Sequence, residues 1–204
     1  YSWQTVSWSD DMVNLDSFYK GKDYVYAYAV AEIKTNAATG AILAVGSDDG
    51  VKVWLNGKLV HENWIPRAVQ KDEDLIPLKL VKGSNQVVLK VQDMQGGWGF
   101  AARLLDKAAL TEQLNGSASA GNIEKIKMLI DGGADINASS AAGITPLMSA
   151  KISGRNEVVQ LLLKNGAKDL PVPSGESITD NLYSSLKGKE SAGIALLVAR
   201  DGNV

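Results

Sequence analysis

The feature that most constrains this chain is an internal repeat of 33 residues in its C-terminal half. When the sequence is compared with itself at that offset, the same kinds of residue recur at equivalent positions. The recurring pairs are glycines or aliphatic residues: Gly121 and Gly154, Ile126 and Val159, Leu129 and Leu162, Gly133 and Gly166. A period of this size indicates a supersecondary unit that cannot bury its apolar face alone and must stack on a neighbouring copy.

The second copy opens with the segment Gly143-Ile-Thr-Pro-Leu-Met148. Thr145 can cap a helix, and Pro146 suits the first helical position because its missing N–H costs nothing there. This opener and the 33-residue period resemble ankyrin repeats, although Met148 stands where that family usually has histidine. The resemblance implies two helix pairs within residues 112–170 and a partner protein that binds to them.

The resemblance also predicts which residues of the repeats are buried and which bind. A turn at residues 135–143 is expected to project between the two helix pairs. Six aliphatic residues are expected between the helices: Ile126, Leu129, Ile130, Val159, Leu162 and Leu163. Ankyrin stacks bind through their concave face, which implies a protein-binding surface near four residues: Ser139, Ser140, Met148 and Lys151. A solenoid needs about three repeats to be stable alone, and this chain has two. Other structure must therefore cover the ends of the stack.

The first 106 residues have a different pattern, which predicts a β domain. All five Trp lie in this part of the chain. Short runs of strand-forming residues, each bounded by turn residues, occur at four places: 24–33, 41–45, 51–55 and 58–60. Asp-Gly at 49–50 and Asn-Gly at 56–57 predict two consecutive hairpins. A turn at 82–85 predicts a third hairpin, between strands at 78–80 and 86–91.

Three segments of this β part resemble galactose-binding-like jelly rolls: Gly46-Ser-Asp-Asp-Gly-Val-Lys-Val-Trp-Leu-Asn-Gly-Lys58, Leu80-Val-Lys-Gly-Ser-Asn85 and Gly97-Trp-Gly-Phe100. The resemblance covers about residues 3–106 and implies an antiparallel β-sandwich. Such modules accompany bacterial glycoside hydrolases and other exported proteins, so it also implies a periplasmic, cell-surface or secreted parent protein. The fold class expected for the whole chain is a β-sandwich followed by an α-helical repeat stack.

Carbohydrate binding by the β domain is the alternative function that the sequence suggests. An aromatic ring can stack on the apolar C–H face of a sugar while polar neighbours bond to its hydroxyl groups. The best cluster of this kind contains one aromatic and three polar side chains: His61, Asn63, Trp64 and Arg67. The structural alternative is that Trp54 and Trp98 belong to the core and that Trp64 covers the edge of the sandwich.

No catalytic residue, metal site or cofactor is expected within this chain. It has no cysteine and a single histidine, His61, which excludes thiolate chemistry and multi-histidine metal sites. Two Ser-x-x-Lys matches, at 17–20 and 184–187, lack the accompanying motifs of a serine β-lactamase site and are interpreted as chance. The carboxylates at 10–11, 48–49 and 72–74 could supply oxygen ligands to calcium, but turn and loop formation explains them better.

The last segment is expected to begin a further domain. The expected domains are the β-sandwich, the repeat stack and this segment: residues 1–106, 107–170 and 171–204. A proline-containing linker is followed by a capping-box signal at 177–180 and an apolar strand at 193–199. Residues 176–204 resemble the start of serine β-lactamase-like hydrolases, which implies a hydrolase domain downstream. Without its hairpin partner, the apolar strand is expected to add to an exposed sheet edge.

The charge balance limits the classes of partner. The chain has 21 Lys and Arg against 23 Asp and Glu, and no region is basic. A clustered positive face is needed to neutralise a phosphate backbone, so nucleic-acid binding is not expected. No stretch approaches the length of a membrane span. The sequence therefore predicts a non-catalytic binding and scaffold region whose partner is a protein or a downstream domain, with a glycan as the alternative partner.

Overall fold

A computed structural model describes residues 3, 5, 12–19, 22–175 and 177–178 of the chain. This part contains eight strands followed by four helices. The strands are β1 Val13–Asn14, β2 Tyr26–Thr35, β3 Thr39–Asp48, β4 Val51–Leu55, β5 Lys58–Asn63, β6 Asp74–Leu80, β7 Gly83–Gln92 and β8 Gly99–Leu104. The helices are α1 Lys107–Ala120, α2 Ile123–Asp131, α3 Pro146–Ile152 and α4 Asn156–Lys164. The expected order of a β domain and a helical repeat stack is confirmed.

The strands form two antiparallel sheets of four strands each. The first sheet has the order β1-β8-β3-β6, and the second sheet has the order β2-β7-β4-β5. Strands that follow one another in the chain therefore mostly lie in opposite sheets, as they do in a jelly roll built from two Greek keys. Alternate residues of β4 and β7 point inward against β6 and the inner side of β3, and together they form the sandwich core. The predicted jelly roll is confirmed.

Two of the three predicted hairpins are wrong. Asn56 and Gly57 do turn β4 back into β5, with φ of 49° and 80°, as a tight hairpin requires. Residues 49–50, however, carry the chain from the first sheet to the second, because β3 pairs with β6 and β8 and not with β4. The turn at 82–85 also crosses between sheets, since β7 pairs with β2 and β4. Alternation of apolar residues shows that a strand has one buried face but not which strand it pairs with.

The helices pack on the outer face of the first sheet. Ile42 and Ala44 of β3 point outward and are buried in one apolar cluster with Leu114 of α1 and Leu129 of α2. The approach is close, because a Cβ added to Gly40 would lie 2.3 Å from the carbonyl oxygen of Asp131 at the end of α2. The β domain therefore covers the first end of the repeat stack, which answers the need for a covering structure.

The 33-residue register is present in the backbone and in the packing. Gly121 and Gly154 have φ of 85° and 65°, and Gly133 and Gly166 have φ of 91° and 89°. Thr145 caps α3 by accepting a hydrogen bond from the Met148 amide, with Pro146 at the first helical position. Equivalent positions therefore share backbone conformation, as the repeat predicts.

The predicted repeat core needs one correction. Ile126, Leu129 and Leu162 are fully buried, and Ile130 and Val159 are partly buried against the same cluster. Leu163 is 37% exposed, whereas Val158, one turn before Leu162 on α4, is 1% exposed. Positions 158 and 162 lie four residues apart on one helical face, and Leu163 is rotated away from it.

The remaining sequence predictions concern the end of the chain. The apolar strand at 193–199 and most of the hydrolase-like segment lie outside the described residues. Within the described part, none of the helices combines the length and the apolar character needed to cross a membrane.

Candidate binding surfaces

The predicted sugar cluster is built around a buried arginine. Arg67 lies on the loop between β5 and β6, and its side chain is only 7% exposed. Its guanidinium donates to Asp74 Oδ2 at 2.6 Å and to Ser47 Oγ at 2.6 Å, and lies 3.2 Å from Glu73 Oε2. Its backbone amide donates to Asp49 Oδ1 at 3.1 Å. Arg67 therefore ties the long loop to β3 and β6 of the first sheet and to Asp49, in the segment that leads from β3 into β4.

Asn63 and His61 also face Asp74. Asn63 Nδ2 donates to Asp74 Oδ1 at 3.0 Å, and His61 Nε2 lies 3.3 Å from Asp74 Oδ2. Burial alone would raise the pKa of Asp74, but the hydrogen bonds from Arg67 and Asn63 and the positive charge of Arg67 outweigh burial and hold this pKa below its usual value. Asp74 is therefore an ionised acceptor that joins the edges of the two sheets through β5 and β6.

The structure thus separates the four residues predicted for sugar binding. Arg67, Asn63 and His61 converge on Asp74, and the hydrogen-bonding groups of Arg67 and Asn63 are used inside the protein. Trp64 lies apart from them, against Gly50, with the Lys52 ammonium 5.1 Å from its ring centroid. Only Trp64 faces the surface where a ligand could stack.

The other two tryptophans have different environments. Trp98 is 5% exposed and belongs to the sandwich core, as the structural alternative predicts. Trp54 is only partly buried, because it sits at an outward position of β4 between the buried Val53 and Leu55. The outer face of the second sheet therefore carries more aromatic surface than the sequence suggests.

A group of aspartates gathers at one end of the sandwich. Asp93 is 1% exposed, and neither of its carboxylate oxygens accepts a hydrogen bond from the described part of the chain. Burial, and then the negative charges of Asp23, Asp16, Asp49 and Asp48, raise the pKa of Asp93. Burial, followed by Asp49 and Asp16, likewise raises the pKa of Asp48.

This acidic group does not form an evident ligand site. Asp49 already accepts the backbone amides of Arg67 and Met94, and Asp16 accepts that of Trp98. Among the described residues, no three His, Asp or Glu side chains are arranged to hold a metal ion. The adjoining cavity, lined in part by Asp16 and Asp48, has a volume of about 90 Å³, well below the about 300–1,000 Å³ of typical ligand pockets.

The residues predicted for protein binding lie on and beside the turn between the repeats. Ser139 and Lys151 are exposed, and Lys151 pairs with Asp169. Ser140 is partly buried, and its backbone exchanges hydrogen bonds with Ile144 and Gly143 that shape the turn. Met148 is 5% exposed and its sulfur accepts from the Thr145 amide, so its side chain supports the helix cap and cannot contact a partner directly.

Sequence reasoning missed several residues of this surface. Ile152, at the end of α3, is 59% exposed although it is aliphatic. Asn115 of α1 donates to the Ile144 carbonyl at 3.1 Å and accepts from Ser149 Oγ, and the Ser119 and Ser153 hydroxyls are 2.8 Å apart. Asn115 and Ser149 are 34 residues apart, and so are Ser119 and Ser153. A search for polar residues at this spacing, one more than the repeat, could have identified both pairs.

Comparisons with known proteins agree with the repeat part of this structure. Residues 111–181 match the family model described as ankyrin repeats in three copies, so this part of the chain contains ankyrin repeats. The mitochondrial disaggregase of Bos taurus is 34% identical over 94 residues, which are 46% of this chain and 13% of that protein. The human mitochondrial disaggregase is 45% identical over 60 residues, which are 29% of this chain and 8% of that protein. The chain therefore spans a small fraction of these relatives.

Solved structures show partial likeness at low sequence identity. The PA14 domain of the antifreeze protein MpAFP is 17% identical and matches 39% of this chain and 42% of that one, with a TM-score of 0.34. The PA14 sugar-binding domain of an RTX adhesin is 22% identical over 38% of this chain and 47% of that one, with a TM-score of 0.27. A β-glucosidase from Kluyveromyces marxianus is 16% identical. The match covers 54% of this chain and 15% of that one, with a TM-score of 0.39. These scores are too low to support an argument, and the jelly roll is assigned from its strand order.

Proposed function

We propose that this chain is a non-catalytic binding and scaffold region, in which the ankyrin repeats hold a protein partner and the jelly roll supports them. The observation that carries this proposal is the surface formed by Ser139, Lys151 and Ile152, which is exposed on repeats whose first end is closed by the β domain. We call it the repeat surface. Stacked repeats bind their partners through such an extended surface, and in the ankyrin resemblance it is formed by the turn tips and the adjoining side of the first helices.

The shared apolar cluster supports a scaffolding role. The apolar cluster that contains Ile42 and Ala44 of β3 also contains aliphatic side chains of α1 and α2, so the stack and the sheet share one core. A rigid base lowers the entropy that is lost when a partner binds, because less of the surface has to be ordered. The jelly roll therefore contributes to binding without touching the partner.

The proposal is tested by photo-crosslinking. A photoreactive amino acid is placed at Ile152 in the full chain, and in a matched variant at Lys164, which is also exposed but lies on α4. After irradiation in an extract of the source cells, crosslinked proteins are identified by mass spectrometry. We expect one dominant protein from position 152 and none from position 164.

A second variant separates binding from folding. Ile152→Ser removes the aliphatic contact without adding bulk. It should lower the affinity for the captured partner at least about tenfold and leave the melting temperature nearly unchanged. Equal capture at positions 152 and 164, or a partner whose affinity is unchanged by Ile152→Ser, would show that the repeat surface does not bind.

Two finer parts of the proposal are supported by the sequence resemblances alone. The jelly-roll resemblance suggests a protein exported to the periplasm, the cell surface or the medium. The resemblance of residues 176–204 to the start of β-lactamase-like hydrolases suggests a downstream serine hydrolase domain as the partner held by the repeats. Glycan binding is the alternative function, and of the four residues first assigned to it only Trp64 is suitably placed.

A further inference from the structure

The outer face of the second sheet carries a row of side chains that crosses all four strands. Tyr28 of β2 is the cross-strand partner of Lys90 on β7, and Lys90 is in turn the partner of Lys52 on β4. Lys52 pairs with Glu62 on β5, and the two charges are 2.8 Å apart. Residues directly opposite each other in antiparallel strands point to the same side, so these side chains form one continuous row on the outer face.

Aromatic rings surround the lysines of this row. The Lys90 ammonium lies 3.7 Å from the centroid of the Tyr26 ring, 5.3 Å from Trp64 and 5.9 Å from Tyr28. The Lys52 ammonium lies 5.1 Å from Trp64. We call Tyr26, Tyr28, Lys52, Trp64 and Lys90 the aromatic face. Such cation–π contacts hold the ammonium groups beside the rings and keep the rings in fixed positions.

The aromatic face is open in the described part of the chain. Tyr26 is 57% exposed and Tyr28 is 49% exposed, and the neighbouring Val30 is 45% exposed. No ion pair joins Lys90 to a carboxylate of residues 22–175, whereas Lys52 has Glu62. A contiguous exposed patch of large aromatic side chains marks a binding surface, because leaving it in water is unfavourable. Among the described residues Lys90 thus leaves one positive charge on this face without a carboxylate partner, and an anionic ligand would neutralise it.

The backbone geometry excludes main-chain pairing of an extended peptide at the two lysines of this face. An extended peptide gains affinity at a sheet by pairing its main chain with an unpaired edge strand. Lys90 and Lys52 lie on the central strands β7 and β4, whose amides and carbonyls are paired with their neighbours, whereas Tyr26 and Tyr28 lie on the edge strand β2. A flat sugar ring needs no main-chain partner, because its C–H face stacks directly on an aromatic ring.

We propose that the aromatic face binds an acidic polysaccharide, one that contains uronic acid residues. The sugar rings stack on Tyr26, Tyr28 and Trp64, and a carboxylate meets the Lys90 and Lys52 ammonium groups. This site is separate from the Arg67 cluster, and it is independent of protein binding by the repeat surface.

Affinity electrophoresis of the full chain tests this proposal. The probes are polygalacturonate as the acidic polysaccharide, galactan as a neutral one and poly-glutamate as an acidic peptide. We expect retardation by polygalacturonate alone, with weaker binding as salt is added, since exposed charges are screened. Tyr28→Ala should weaken this binding about tenfold, which is the upper range for one aromatic contact.

Matched lysine variants separate the site from general charge attraction. Lys90→Gln should weaken polygalacturonate binding several-fold, whereas Lys34→Gln should leave it unchanged. Lys34 is also exposed and also on the outer side of β2, but it pairs with Glu32 away from the rings. The inference is overturned by equal losses in the two lysine variants, by unchanged binding in Tyr28→Ala, by equal affinity for galactan or poly-glutamate, or by no retardation.

Discussion

Arg67 and Asp93 are both buried charged residues, but their surroundings differ. Arg67 forms ion pairs with Asp74 and Glu73 and donates a hydrogen bond to Ser47. Asp93 has no hydrogen-bond donor among the described residues and has several aspartates nearby. A buried charge is tolerated when it is paired and costs free energy when it is not. The two residues should therefore respond to substitution in opposite directions.

Arg67→Ala should strongly destabilise the β domain. Removing the guanidinium leaves Asp74 buried without its main partner, so the free energy of unfolding should fall by about 3–5 kcal/mol. The matched control is Arg103→Ala, because Arg103 also pairs with an aspartate, Asp72, but is 52% exposed. In that variant the free energy of unfolding should fall by less than about 1 kcal/mol. Urea unfolding curves measure both, and equal losses would contradict a structural role for Arg67.

Asp93→Asn should stabilise the protein at neutral pH. The folded-state pKa of Asp93 is raised, so the unfolded chain releases this proton at lower pH than the folded chain. Stability from this group is then greatest below the unfolded pKa and falls as pH rises towards the folded pKa. Asparagine cannot ionise, so the free energy of unfolding should rise by about 1 kcal/mol or more at pH 7 and change little at pH 3. Thermal unfolding at both pH values tests the sign, and lower stability at pH 7 would contradict it.

At the scale of single elements, β3 has the most unusual environment. Leu43 and Val45 point into the sandwich core, while Ile42 and Ala44 point into the core shared with the helices. A strand buried on both faces has a continuous apolar run and no alternation, as residues 41–45 have. Gly40, at its beginning, lets α2 approach the sheet.

Gly40→Ala should separate the helices from the sheet. The added Cβ would lie 2.3 Å from the Asp131 carbonyl oxygen, so the backbone must shift, at a cost of about 1–3 kcal/mol. The matched control is Gly116→Ala in α1, where an added Cβ meets nothing. That substitution should stabilise the helix by about 0.5–1 kcal/mol. Circular dichroism melts of the two variants should therefore shift in opposite directions, and a shift of the same sign would refute the close approach.

For the whole molecule, the decisive feature is that the two parts share an apolar cluster. The covered end of the repeat stack and the outer face of the first sheet bury each other, so neither part has its complete core without the other. The chain should then unfold as one cooperative unit, as small single domains do.

Two spectroscopic signals test this cooperativity. The repeats contain no Trp, and Trp54, Trp64 and Trp98 lie in the described part of the jelly roll, so a change in fluorescence reports the β part while helical circular dichroism reports the repeats. Both signals should change at the same urea concentration. Ile42→Ala should lower both midpoints together, with a loss of about 2–5 kcal/mol for truncating a fully buried aliphatic side chain. Separate transitions, or a shift in the fluorescence midpoint alone, would show two independent domains.

The sequence by itself determined the features that depend on local physics. The 33-residue register, the Thr145 cap and the Asn56 hairpin follow from backbone preferences of neighbouring residues, and the structure has all three. The jelly-roll class followed from resemblance, and the strand order confirms it. The prediction that Leu163 is buried was wrong. The repeat pairs Leu163 with another aliphatic residue, Ile130, but it does not specify how α4 is rotated about its axis.

Only the tertiary structure decided which distant residues meet. Tyr28 and Lys90 are brought together by the pairing of β2 with β7, and Arg67 meets Asp74 where a loop crosses between the sheets. Apolar alternation shows that a strand has a buried side, but it does not specify the neighbour, because any strand of suitable length could pair with it. The partner is selected by the packing of all eight strands at once. The surfaces proposed for binding depend on that selection, which is why their residues were only partly predictable.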